Sequence, residues 1–383
     1  MEEGIVLLCI GSIGMLGNVI AIPYFASRIL RQKTFYILLT CLSICDLIVV
    51  INGMLLFAIS KVSDTYASET YLIIAPYVLS TFEMVSTGGI YFTMAICIER
   101  YFVVCRPLWY RAQSIPSRTY TIPIVCFSVL YNIPRFFELR TVKIFENFDK
   151  NNISTVSINS NTTHVISDES DRFKQNISES FQYSIEPTKL RQNVNYYGVY
   201  HIGCATIFQF ILPLLVLIIA NILILRQLIK HNYGPPAMTN GEGGLHRTVS
   251  IHQHPSQLRR RRNQVDRAKV TLAICGIFIF CHLFKWILNI YELYFRFSYV
   301  DLTEEEMTNA IYASEWFETV VNISNTLVVL NSSINFYVYV LKDAWTKCTQ
   351  KESSSSTTEL PTRATNLCSK TKFSTKPRQN AYA

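Results

Sequence analysis

The chain has 383 residues, half of them hydrophobic and only 16% charged, with a formal charge of +8. Soluble domains carry about 25% charged residues, so this composition argues against a soluble module and for a lipid bilayer as solvent. The excess Lys and Arg sits in loops between apolar stretches, where membrane topology accounts for it, and nucleic acid is not implied as a partner.

A helix needs about twenty apolar residues to cross a bilayer. Seven stretches qualify, over about 4–29, 34–60, 71–104, 119–139, 195–229, 266–294 and 311–341. The fourth is the thinnest, being uncharged only to Pro134. The opening Met-Glu-Glu-Gly lacks a basic n-region, so the first stretch reads as a retained span and not a cleaved signal. Arg28, Arg31 and Lys33, then Arg106, Arg111 and Arg118, then the set from Lys230 to Lys269 fall in loops on one side. The opposite loops are mixed or acidic, with Lys61, Asp64 and Glu69 in one and Asp301 and Glu304 to Glu306 in another. The positive-inside rule then places the N-terminus outside and the tail inside. The expected fold is an all-α membrane protein, a seven-transmembrane-helix bundle. A short amphipathic eighth helix follows over 342–351, completing a domain 1–351, and a disordered Ser/Thr-rich tail covers 352–383.

In chain order, Asn18 lies mid-span in the first helix, where it can bond a neighbour. Asp46 is a lone carboxylate in the second span, and a charge there needs a cation, a proton or donors. It is either a neutral, hydrogen-bonded core group or a cation ligand, with Asn331 and Asn335 of the seventh span on one face to assist. Glu83 stands in the third span, which closes on Glu99-Arg100-Tyr101. Ions beside a lipid-length segment are expensive unless they reach an interface or a partner. Arg100 either snorkels to the membrane edge or is held by Glu99 and handed to a cytoplasmic partner. The loop from Arg140 to Asn193 is polar and holds three glycosylation sequons, at Asn152, Asn161 and Asn176. His282 and Lys285 lie in the sixth span, and Lys285 is expected to pair with an acid inside the bundle.

Eight cysteines fall inside apolar stretches, and Cys105, Cys348 and Cys368 fall on the side placed inside the cell. A disulfide framework is not expected, and no Cys-x-x-Cys pair suggests zinc. No His-Glu-x-x-His occurs, so neither an enzyme nor a cofactor is implied. Intramembrane Asp46, Glu83 and Lys285 keep an ion transporter or channel as an alternative, although no internal repeat supports it.

Glu99-Arg100-Tyr101 followed by Cys105-Arg106-Pro107-Leu108 resembles the rhodopsin-like (class A) G-protein-coupled receptors. Pro213 matches that family's fifth-helix proline, and Asn331-Ser-Ser-Ile-Asn335-Phe-Tyr-Val-Tyr339 resembles its Asn-Pro-x-x-Tyr signature with Phe336 in place of proline. Cys281-His282-Leu283-Phe284 keeps the cysteine of Cys-Trp-x-Pro but neither the Trp nor the Pro, and the third-helix cysteine that usually pairs with the second outer loop is absent. Tyr131-Asn-Ile-Pro-Arg-Phe-Phe-Glu138, Ala75-Pro-Tyr-Val-Leu79 and Cys281 to Glu292 look like the FMRFamide-receptor branch of invertebrate neuropeptide receptors. The resemblance implies a multi-pass receptor of the plasma membrane. Its ligand is an amidated neuropeptide, with another class A ligand as the alternative. Its signalling partners are a heterotrimeric G protein, a receptor kinase and arrestin. Its implied activation switch comprises Glu99, Arg100, Tyr101, Asn335, Tyr339, Asp46 and Asn18. It implies sodium at Asp46, Asn331 and Asn335, but Gly88 and Gly89 stand where the third helix would offer a hydroxyl. An Arg-Phe-amide ligand brings a guanidinium and a ring. Glu83, Glu138 and Glu292 are candidate partners for the first, and Tyr77, Trp286 and Trp316 for the second, each acid being otherwise a solvated helix end. Phe82 stands at the position where an amine receptor carries Asp, and the seventh span has no retinal-binding lysine. Cys348, about seven residues past the last span, is placed for palmitoylation, and Ser353 to Thr358 for phosphorylation.

Overall fold

The computed structural model describes residues 1–28, 33–113, 115–145, 156–157, 181–233, 255–298 and 315–358. Among these, seven long helices follow one another: α1 (Glu2–Ala26), α2 (Lys33–Gly53), α3 (Tyr71–Cys105), α4 (Arg118–Asn132), α5 (Leu212–Tyr233), α6 (Pro255–Ser298) and α7 (Glu315–Thr358). Short π-helical segments extend some of them. Met54–Ala58 carries α2 onward, Tyr66–Thr70 leads into α3, and Tyr197–Cys204 with Thr206–Ile211 leads into α5. Pro213 lies just past the last of these, and its missing N–H and ring preclude a regular α-turn there. The chain divides into two units, Met1–Phe336 and Tyr337–Ala383, and the packed helices and their buried polar groups belong to the first.

Five helical stretches among the described residues are long and apolar enough to cross a membrane: Glu2–Ala26, Thr34–Val62, Tyr66–Cys105, Tyr197–Gln227 and Thr271–Glu292. The chain is therefore a helical membrane protein. The fourth expected span falls short because α4 stops at Asn132, one residue before the Ile133-Pro134 step, and a 3₁₀ turn (Ile133–Phe137) takes over. The described part of α7 is diluted by Asn322, Asn325, Asn331 and Asn335. Its helix runs to Thr358.

The packing is inside-out, as lipid demands. Ile219, Ile222 and Leu225 of α5 are exposed, whereas Asn18, Asp46, Glu99 and Arg100 are buried. Polar side chains bond helix to helix around α3. Ser80 donates to the Arg135 carbonyl (2.9 Å), Tyr91 to the Phe208 carbonyl (2.9 Å), and Thr87 accepts from both Asn132 (3.2 Å) and Gln209 (2.9 Å). Small residues bring backbones close. Gly14 of α1 lies so near Ser333 of α7 that a Cβ there would overlap its side chain.

The all-α expectation needs one correction. The loop after α4 forms a three-stranded antiparallel sheet ordered β2–β1–β3, from β1 (Leu139–Phe145), β2 (Val156–Ser157) and β3 (Phe181–Pro187). Leu139 pairs with Pro187 and Phe145 with Phe181. Thr141, Val142 and Ile144 favour the extended strand, a signal that the loop's Asn/Ser-rich remainder hides. Thr141 donates to the Leu72 carbonyl at 2.7 Å, which fastens the sheet over the start of α3.

Candidate functional site

At the end of α3 remote from the sheet, Glu99 and Arg100 are 4% and 2% exposed and pair at 3.0 Å. Successive helical residues point about 100° apart, so this pair is made by bending side chains. Tyr110, on the short helix Pro107–Gln113, donates to Glu99 Oε1 at 3.0 Å. Burial, then the neighbouring Glu99 carboxylate, raises the Tyr110 phenol above its usual range, so it remains a donor. The Arg100 guanidinium lies 3.5 Å from the centre of the Phe35 ring at the start of α2. Tyr101 turns away from the pair and packs with Val104 and Cys105 against Ile224 of α5.

Nearer the middle of the bundle, Asn335 Nδ2 donates to Asp46 at 2.9 Å, and Asn18 Nδ2 donates to the Gly14 and Ser332 carbonyls, both at 3.0 Å. α1, α2 and α7 are thus tied by polar groups. Asp46 borders a cavity of about 20 Å³ that Asn331, Asn335, Ser86, Thr93 and His282 also line, which has room for about one water or small cation. Ser86 Oγ, Asn331 Oδ1 and Asn335 Oδ1 are buried without a hydrogen-bond partner among the described residues. Three orphaned oxygens beside a carboxylate form a donor set that fits a hard monovalent cation. Although Gly88 and Gly89 offer no hydroxyl, Ser86, less than one turn away, supplies one from the third helix. Tyr339 lies in the other unit, with its side chain outside the described residues, as is that of Cys348. Asn152, Asn161 and Asn176 lie outside the described residues altogether.

At the sheet end, Lys285 of α6 donates to Glu83 of α3 at 2.7 Å, and Arg135, from the turn after α4, approaches the other carboxylate oxygen at 4.0 Å. Glu138 is 3% exposed and is held by Tyr196 (2.9 Å), Arg191 (3.1 Å) and His201 (3.1 Å). Tyr197 donates to Glu292 and stacks on His201 at 4.6 Å. Trp286 is buried against Phe210 (4.7 Å), and Tyr291 meets Trp316 edge-on at 4.8 Å. Tyr77, in contrast, is 65% exposed and stays out of this group. Among the described residues, Glu83 stands with Lys285 and Arg135, and Glu138 with Arg191. An incoming guanidinium at Glu83 or Glu138 must therefore exchange with a resident cation.

Sequence reasoning missed Arg135, Arg191, Tyr196 and Tyr197, because they converge from the turn after α4, the short helices after β3 and the π segment. The one usable signal was Arg135 itself, a charge inside an apolar run. Ser86 and Tyr110 were missed for want of the helical phase that aims them.

No family model matches the chain. It is similar to several G-protein-coupled receptors. Against the FMRFamide receptor of Drosophila melanogaster it is 26% identical over 346 residues, 88% of this chain and 51% of that protein. Against the FMRFamide peptide receptor frpr-18 of Caenorhabditis elegans it is 24% identical over 344 residues, 87% and 64% respectively. Against the probable G-protein coupled receptor frpr-1 of the same organism it is 21% identical over 341 residues, 88% and 74%. The chain spans about half to two thirds of the length of the first two. It resembles the G-protein-coupled receptors over nearly nine tenths of its length, and within them the FMRFamide-receptor branch.

Proposed function

We propose that the chain is a seven-helix receptor of the plasma membrane, N-terminus outside, that binds an amidated peptide of the Arg-Phe-amide type and signals through a heterotrimeric G protein. The observation that carries this is the pairing, in one bundle, of a buried Glu99–Arg100 switch at one end with an acid- and ring-lined group at the sheet end. The likeness to FMRFamide receptors supports it. Peptide binding favours the arrangement to which it binds more tightly, and couplings of this kind are worth about 1–3 kcal/mol. α6 moves, Arg100 leaves Glu99, and a G-protein segment receives it.

Glu292, which accepts a hydrogen bond from the Tyr197 phenol, is the acid assigned to the peptide's guanidinium. Trp286 and Trp316 offer rings to the aromatic side chain. Sodium, when bound, supplies a positive charge beside Asp46, and Asn331, Asn335 and Ser86 would complete its shell. On this topology Asn152, Asn161 and Asn176 take glycans outside, while Cys348 takes palmitate and Ser353–Thr358 the phosphates that recruit arrestin inside. Calcium and cyclic-AMP responses of transfected cells to a panel of Arg-Phe-amide peptides test the assignment. A dose-dependent response to at least one is expected, and silence across the panel at verified surface expression would overturn the ligand class.

A further inference from the structure

Two thiols face each other in the interior of the bundle. Cys97 of α3 and Cys275 of α6 are both 0% exposed, and their sulfur atoms are 2.8 Å apart. They are separated by 178 residues of sequence and are both free. Ile90, Leu217, Ala220 and Phe278 pack around them in an apolar cluster. Two sulfurs at that distance are inside ordinary van der Waals contact, and only a small further approach separates them from a bond.

The position matters. Cys97 precedes Arg100 by about one helical turn on α3, and Cys275 lies on the same helix as Lys285, which reaches Glu83. A covalent tie here joins α3 to α6 between the switch and the sheet-end cluster. We propose that Cys97 and Cys275 form a peroxide-driven disulfide that latches α3 to α6. Hydrogen peroxide oxidises one thiol to a sulfenic acid and leaves as water. The second thiol attacks that sulfur, the S–S bond forms, and a second water departs, so that two thiols and one peroxide give one disulfide and two waters. A neutral, water-sized oxidant suits a site that a bulky disulfide reagent cannot enter. Both thiols are fully buried, so oxidant reaches them slowly and the latch closes over prolonged exposure and not in a burst. Once closed, it resists reduction for the same reason.

The cross-link itself does not rest on the receptor proposal; its consequence for signalling does. The test uses the full chain, purified in lipid nanodiscs and treated with hydrogen peroxide. Non-reducing peptide mapping should show a Cys97–Cys275 linked peptide, two hydrogens lighter than the sum of its parts. Peptide-evoked nucleotide exchange on added G protein should fall at least tenfold and return after denaturant-assisted reduction and refolding, or be spared throughout in Cys97→Ser. Cys275→Ala serves as a second variant should the first fold poorly. Absence of the linked peptide after hours of exposure overturns the proposal, as does a linked chain that exchanges at the untreated rate. A chain silent before oxidation contradicts the receptor assignment instead and leaves the mapping as the deciding readout for the bond.

Discussion

The two ends of the bundle both bury ionic groups, but they do so differently. Glu99 and Arg100 are neighbours on α3, joined by bent side chains and steadied by one loop tyrosine. Glu83, Lys285 and Arg135 come from α3, α6 and the turn after α4, so their contacts are contacts between helices. The first arrangement can change partners without repacking the backbone. The second cannot change without shifting a helix. On the proposed function, a ligand that rearranged the sheet-end ions would move α6, and exchange at Arg100 would read out that movement.

This contrast can be broken by substitution. Removing the acid shared by three helices should do the most damage. Glu83→Gln leaves Lys285 and Arg135 without their common partner, and breaking a buried pair costs about 3–5 kcal/mol. A large fall in the melting temperature of the detergent-solubilised protein is expected, and partial recovery in Glu83→Gln with Lys285→Met. Next comes Glu292→Gln, which should reduce the potency of Arg-bearing peptides about tenfold or more, in keeping with loss of a charge-assisted bond, and spare an analogue without Arg. Equal loss for both peptides would remove Glu292 from the contact. At the cavity, exchanging sodium for potassium at constant ionic strength should shift peptide affinity about fivefold in the native chain and leave Asp46→Asn unmoved. Smallest is Tyr110→Phe, which deletes one hydrogen bond to the Glu99 carboxylate. It should raise ligand-free nucleotide exchange by a few fold, and no change would mean that Tyr110 does not hold the resting pair.

Much of this was legible from residue order. Lipid-length runs gave most of the helices, and charges inside such runs marked Asp46, Glu83, Arg100 and Lys285, since ions there demand partners. That Lys285 meets Glu83 follows from the same demand, although which acid it meets depends on helix rotation. The sheet was hidden because its strands are short islands in polar sequence, and strand pairing is a long-range contact. Arg135 was overlooked because Pro134 ends the helix and turns the next side chain inward. Ser86 was missed because the hydroxyl was sought at Gly88 and Gly89, whereas cavity lining is set by depth and rotation together.

The most direct test places the native chain and Arg100→Ala in nanodiscs with a heterotrimeric G protein and follows both labelled-peptide binding and nucleotide exchange. Binding retained with exchange abolished is the expected result. Exchange at the native rate in Arg100→Ala would show that Arg100 is a membrane-edge residue and no switch.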